Sequence, residues 1–207
     1  ALVLHDHRPQ LDGFMKVQVI ELGEIMSTAQ ANAAGVRAAT APIVAFIEQH
    51  AYPEPNWAAA LIAAHQESWA VVGPVVGNAN PGSLVSWADL IVGYSEWLEF
   101  AAAGEVEHLP AHNSSYERHV LLQYDKDVEA ALAGESALHW DLGRRGHGLY
   151  LEPAAKINHL NASRPLSMLR GTFLGGRLFG AARAQGWPPT RRVAFALAAP
   201  VIPLVRL

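Results

Sequence analysis

The chain has 207 residues, 51% of them hydrophobic, and a formal net charge of −4, enough for one domain with a real core and too few to argue for two. It contains no cysteine, which excludes disulfide staples and thiolate metal sites and leaves carboxylate, imidazole and water as metal ligands. All nineteen acids lie in residues 1–152, whereas eight Lys and Arg and no acid follow, so an acidic body carries a basic tail that an anionic surface would attract.

In chain order, "ALVLHD" reads as a buried strand ending at Asp6 and "KVQVIEL" as a second, both short and apolar. The start lacks the basic flank, apolar core and small-residue cleavage site of a signal peptide. The Ala-rich "STAQANAAGVRAAT" has helical composition. "PIVAFIE" is then a continuous apolar run between Pro42 and Glu48, which predicts a central parallel strand covered on both faces. Strand, helix, strand is the unit of an α/β sheet.

After a turn at Pro53 and Pro55, "NWAAALIAAHQES" predicts a helix capped by Asn56, and "AVVGPVVGN" a strand. "SLVSWADLIVGYSEWLEF" is aromatic-rich and helix-periodic, and "LPAHNSSYERHVLLQY" reads as a loop and then a helix. "ESALHWDLGRRGHG" predicts a helix closed by Gly146 and Gly148, and "LYLEPAAKINHLN" a strand ending near His159. Residues 166–184 place Arg170, Arg177 and Arg183 among Leu, Phe and Gly, which suits either a basic amphipathic helix on a membrane surface or a helix with solvated arginines. Residues 193–207 are apolar but carry two prolines and Arg206, and are shorter than the roughly 20 residues of a spanning helix.

The order of these motifs resembles the family 2 glycosyltransferases, nucleotide-diphospho-sugar transferases of the GT-A fold. The resemblance runs from "ANAAGVRAATAPIVAFIEQHAYPEPNW" through "HNSSYERHVLL" to "GESALHWDLGRRGHGLYLEPAAKINHLN". It implies an α/β protein with a GT-A-like, Rossmann-like, mostly parallel sheet flanked by helices. Residues 1–163 would form the catalytic domain and 164–207 a basic C-terminal segment associated with a membrane. The β-α-β unit of about 30 residues that opens the family pattern has no counterpart before "LVLHD".

In that family the strand matching "PIVAFIEQH" ends in an Asp-x-Asp motif that holds a divalent cation on the donor diphosphate. Glu48 and His50 fill those two positions, with Gln49 between them on the donor side, and His159 is offered as a third metal or diphosphate contact. A strand that ends this way delivers ligands to the carboxyl edge of an open α/β sheet. Carboxylate suits Mg²⁺ or Mn²⁺, and imidazole suits Mn²⁺ better than Mg²⁺. The family's acidic helix start falls on "GESALHWDL", which offers Glu135 as general base toward the acceptor hydroxyl. His112, Asn113 and Ser114 of "HNSSY" would line the acceptor pocket with small polar groups, Trp140 would stack on a sugar, and Asp6 would sit near the base or ribose of the donor.

The resulting expectation is an inverting, metal-assisted hexosyltransferase-like enzyme of envelope polysaccharide or glycolipid synthesis. Its partners would be a nucleotide-diphospho-sugar, a glycan or lipid-linked hydroxyl acceptor and an anionic membrane surface on the cytoplasmic side. The alternative is a non-catalytic GT-A-like domain that binds a nucleotide-sugar or a partner. A His/carboxylate metal hydrolase ranks below both, because the sequence offers no His-x-x-x-His pair on one helix face. Nucleic acid is disfavoured by the acidic body.

Overall fold

A computed structural model describes residues 17–201. Asp6, the strand expected over "ALVLHD" and Arg206 lie outside the described residues. The order is α1 (Thr28–Ala38), β1 (Ile43–Ala45), β2 (Ala51–Pro53), α2 (Trp57–Ala64), β3 (Trp69–Asn78) and α3 (Leu84–Tyr94). There follow β4 (Gly104–Glu105), β5 (Ser115–Glu117), α4 (Arg118–Leu122), α5 (Val128–Ala133), α6 (Ser136–Arg144), β6 (Gly148–His159), α7 (Pro165–Arg183) and α8 (Pro189–Ala198).

The six strands form one sheet in the order β1-β5-β3-β6-β2, with β4 also on β6. β3 and β6 are parallel, and β5 is antiparallel to both β1 and β3, so β1, β3 and β6 run one way. β2 and β4 pair antiparallel with β6. The protein is therefore α/β with a mixed sheet, which corrects the expectation of a mostly parallel one. Three short strands make the difference: β2 and β4 against β6, and β5, three residues slipped in between β1 and β3. "PIVAFIE" also departs from its expected central place: only Ile43–Ala45 pairs, at the sheet edge, with Val44 buried and Ala45 exposed. Residues 17–22 of "KVQVIEL" form no strand.

β3 behaves as its unbroken apolar run demands. Val71 and Val75 pack into one core with Val36, Tyr116, Val120 and Leu142, while Val72 and Val76 pack into a second with Trp57, Leu61, Leu90 and Ile157. The period of two along a strand sends alternate valines to opposite faces, so helices must cover both. Ser27 and Ser83 cap α1 and α3, each accepting a backbone N–H three residues on. Asn56 precedes α2 but makes no side-chain cap.

α7 matches the helix expected over residues 166–184 and α8 adds a second one, yet neither contains a buried residue. No described helix is long and apolar enough to cross a membrane.

Candidate metal and diphosphate site

Three strands deliver their carboxyl ends to one rim. β1 leads through Phe46 to Glu48, and β3 and β6 end side by side at Asn78 and His159, which pair in register. β5 runs the other way, so its beginning lies at that rim too. The Phe46 N–H donates to Ser114 O at 3.0 Å, which brings Asn113 against Glu48. β2 pairs Ala51 with His159, and the Leu160 N–H donates to His50 O at 2.9 Å, so the turn between β1 and β2 carries His50 back over His159. The sheet topology thus gathers residues separated by more than a hundred positions.

Glu48 is held from several sides. Asn113 Nδ2 donates to its Oε2 at 2.7 Å and the Tyr94 hydroxyl donates to the same oxygen at 2.9 Å. His159 Nε2 stands 3.4 Å from Oε2, and His50 Nε2 3.9 Å from Oε1. The two imidazoles meet edge to face, with centroids 4.6 Å apart. Burial acts to raise the Glu48 carboxyl, but the His159 contact, the His112 charge and the Asn113 amide outweigh it and hold it at about 2. Tyr94 is pushed well above its ordinary range by burial and then by the Glu48 charge, so it remains a neutral donor.

His159 is buried and its tautomer is set by Asn161. The Asn161 amide nitrogen donates to Asn78 Oδ1 at 3.1 Å and to His159 O at 2.9 Å, which leaves Asn161 Oδ1 as the acceptor, 2.9 Å from His159 Nδ1. Nδ1 must therefore carry hydrogen, and Nε2 points at Glu48. Asn80 and Ser86 complete the support: the Asn161 N–H donates to Asn80 Oδ1 and the Ser86 hydroxyl donates to Asn78 Oδ1. Burial acts to lower His159, while its bonds to Glu48 and Asn161 raise it above the usual histidine value overall.

The donor set fits a divalent cation. The ligand atoms of Glu48, His50 and His159 all lie within 4.8 Å of one another. Ligands about 2.1 Å from a tetrahedral metal stand about 3.4 Å apart, which the Glu48–His159 pair matches at 3.4 Å, while His50 Nε2 stands 3.9 Å from Glu48. A neutral imidazole with its second nitrogen hydrogen-bonded is the usual form of a metal-bound histidine. Two imidazoles and one carboxylate favour Mn²⁺ over Mg²⁺.

Glu135 stands at the start of α6 in an unusual backbone state, φ 43° and ψ −103°, a conformation that costs a non-glycine residue roughly 1–3 kcal/mol. Its carboxylate meets His112 Nε2 at 2.9 Å. Burial acts to lower His112, but the Glu135 bond and charge, followed by the Glu48 charge, raise it above its ordinary value. His112 thus feels the charge of both carboxylates.

The remaining expected residues are placed as follows. Gln49 is exposed in the turn between β1 and β2. Asn113 and Ser114 are fully buried: the Asn113 amide grips Glu48, and the Ser114 hydroxyl donates to Pro110 O at 2.9 Å. Trp140 is half-buried, edge-on to Phe179 of α7 at 6.1 Å, and lines a cleft of about 660 Å³ with Glu105, Glu107, Arg144 and His147. That cleft contains none of Glu48, His50 or His159. Asn78, Asn80, Ser86 and Asn161 had no place in the sequence reading, and Tyr94 figured only as one aromatic of a helix-periodic stretch. The available signal was a cluster of asparagines at the ends of two apolar strands, in "GNAN" and "NHLNAS".

No protein-family model and no curated protein matches the chain.

Proposed function

We propose that the protein is a glycosyltransferase of GT-A type that moves a sugar from a nucleotide-diphosphate donor to a hydroxyl acceptor with inversion. The observation that supports it most is the meeting of Glu48, His50 and His159 at one rim, with the His112–Glu135 pair within electrostatic reach. A carboxylate and two imidazoles at the carboxyl edge of an α/β sheet lie where such folds bind ligands.

A divalent cation held by Glu48, His50 and His159 would supply charge neutralisation for the leaving diphosphate. Glu135 would accept the acceptor's proton as its oxygen bonds to the anomeric carbon and the carbon–oxygen bond to the diphosphate breaks. His112, hydrogen-bonded to Glu135, would orient that carboxylate. Tyr94 and Asn113 would keep Glu48 ionised and fixed.

One observation favours a second reading. Two histidines and one glutamate are also the donor set of zinc hydrolases, and the same Glu135 could then activate water.

The experiment is a product assay with Mn²⁺ and a panel of nucleotide-sugars, with and without glycan and lipid-linked acceptors. Transfer that falls on the order of 10²–10⁴-fold in Glu135→Gln, with donor binding retained, supports the transferase. Free sugar as sole product moves the assignment to the hydrolase, and donor binding without turnover to a non-catalytic binding domain.

A further inference from the structure

We infer that α7 and α8, with the outer face of α3, form a docking surface for a bilayer rich in anionic headgroups. α7 leaves Leu166, Leu169 and Phe173 between 63% and 79% exposed, one helical stripe at i, i+3 and i+7. α8 does the same with Val193 and Leu197, at 58% and 76%. α3, which packs beside α7, exposes Leu84 and Ile91 on its outer side. Contiguous apolar surface beyond a few hundred Å² marks an interaction site in a folded protein.

Charge indicates what covers this surface. Residues 164–192 carry Arg164, Arg170, Arg177, Arg183, Arg191 and Arg192 and no acid. Among the described residues none of these six has a carboxylate partner. Arg170 and Arg177 fall on the same side of α7 as Leu166 and Phe173 by helical spacing, and Arg191 stacks on Trp187 at 4.1 Å. Guanidinium groups interleaved with apolar side chains on helices unable to span a membrane describe an arm lying in the headgroup layer. An apolar partner protein would leave the six positive charges unanswered.

The arm is tied to the rim. Asn80 Nδ2 donates to Asn161 O and to Ser163 Oγ at 2.9 Å each, and the Ala162 N–H donates to Asp89 Oδ2 of α3 at 2.7 Å. α7 begins six residues after His159. Docking therefore holds the Glu48–His159 rim close to the lipid. On the transferase reading, which this last step rests on, the acceptor hydroxyl belongs to a lipid-borne molecule.

The test is flotation of the full chain with vesicles of phosphatidylcholine alone and with about 30% phosphatidylglycerol, at low and high salt. Partition at least about tenfold higher onto the anionic vesicles, reversed by salt, is expected. Leu169→Asp with Phe173→Asp, and separately Arg170→Glu with Arg177→Glu, should each abolish it while circular dichroism and melting temperature stay unchanged, since these side chains are exposed. Partition onto neither vesicle, or equally onto both, overturns the proposal. So does a dimer seen by light scattering that the same substitutions break, because the face would then belong to a second copy. The assay needs neither donor nor cation, so its failure leaves the role of Glu135 standing, and a failed transfer assay leaves the docking surface standing.

Discussion

Asn113 grips Glu48 at both ends, its Oδ1 accepting the Glu48 backbone N–H at 3.1 Å and its Nδ2 donating to the Glu48 carboxylate at 2.7 Å. Asn113 is wholly buried, so its removal would leave a peptide donor and an ionised carboxylate short of partners. Asn113→Ala should lower the unfolding free energy by about 1–3 kcal/mol, read from urea unfolding at neutral pH. A loss below about 0.5 kcal/mol, the usual range of a surface change, would contradict the two-ended grip.

Asn161 positions His159, a proposed ligand, without being one itself. Asn161→Leu removes the acceptor that holds His159 Nδ1–H and should weaken Mn²⁺ binding on the order of 10–100-fold, the usual effect of losing such a partner. Asn161→Asp keeps an acceptor and should lie between the variant and the parent. Calorimetry or the electron paramagnetic resonance of free Mn²⁺ reads both. Equal affinity in all three proteins would remove Asn161 from the site.

His139 sets an acid limit on stability. Its Nδ1 accepts the Leu109 N–H at 3.2 Å and its Nε2 faces the Tyr116 hydroxyl at 2.8 Å, with the ring fully buried. Burial holds it neutral, down at about 3, and burial lowers His65 as well. The unfolded chain takes up these protons from about pH 6.5 downward and the folded chain does not, so stability falls as pH falls. His159 and His112 are raised, so their effect has the opposite sign and is complete below about pH 6.5. Between about pH 4.5 and 6, therefore, His139→Gln should flatten the slope of unfolding free energy by about 1.4 kcal/mol per pH unit. Denaturant unfolding at several pH values measures it, and parallel slopes would rule out a neutral buried ring.

Glu135 pairs a reactive side chain with a left-handed backbone. Glycine tolerates φ 43° and alanine does not. Glu135→Gly should unfold at higher denaturant than Glu135→Ala, with a gap of roughly 1–3 kcal/mol, although both lose the carboxylate. Identical midpoints would show that this φ is relaxed in solution.

Much of the frame was legible because the signals were long. β3 is a ten-residue apolar run and β6 a twelve-residue strand of largely alternating burial, and α1, α2, α3 and α6 have helical composition between turn residues. The short pieces were not legible. β5 contributes "SYE", three residues that carry no period, and yet it runs antiparallel between β1 and β3 and brings Asn113 to Glu48. β1 is equally short, so its apolar run read as a central strand when only Ile43–Ala45 forms one, at the sheet edge. Glu48, His50 and His159 stood out because they end or closely follow apolar runs and differ from those surroundings. Their supports were missed because asparagine, serine and tyrosine are ordinary in turns and helices, and only the three-dimensional arrangement aims Tyr94 and Asn161 inward. The pairing of His112 with Glu135 joins two loops 23 positions apart, a distance at which spacing carries no information.

Because the donor atoms arrive from the β1–β2 turn and the end of β6, no such constellation exists in the denatured chain. A cation bound there grips only the folded form, and mass action then links metal occupancy to thermal endurance. Saturating Mn²⁺ at a hundred times its dissociation constant should add about 2.7 kcal/mol, and a chelator should withdraw it. The melting curve of the protein thereby becomes an assay of its own rim, readable before any substrate is known.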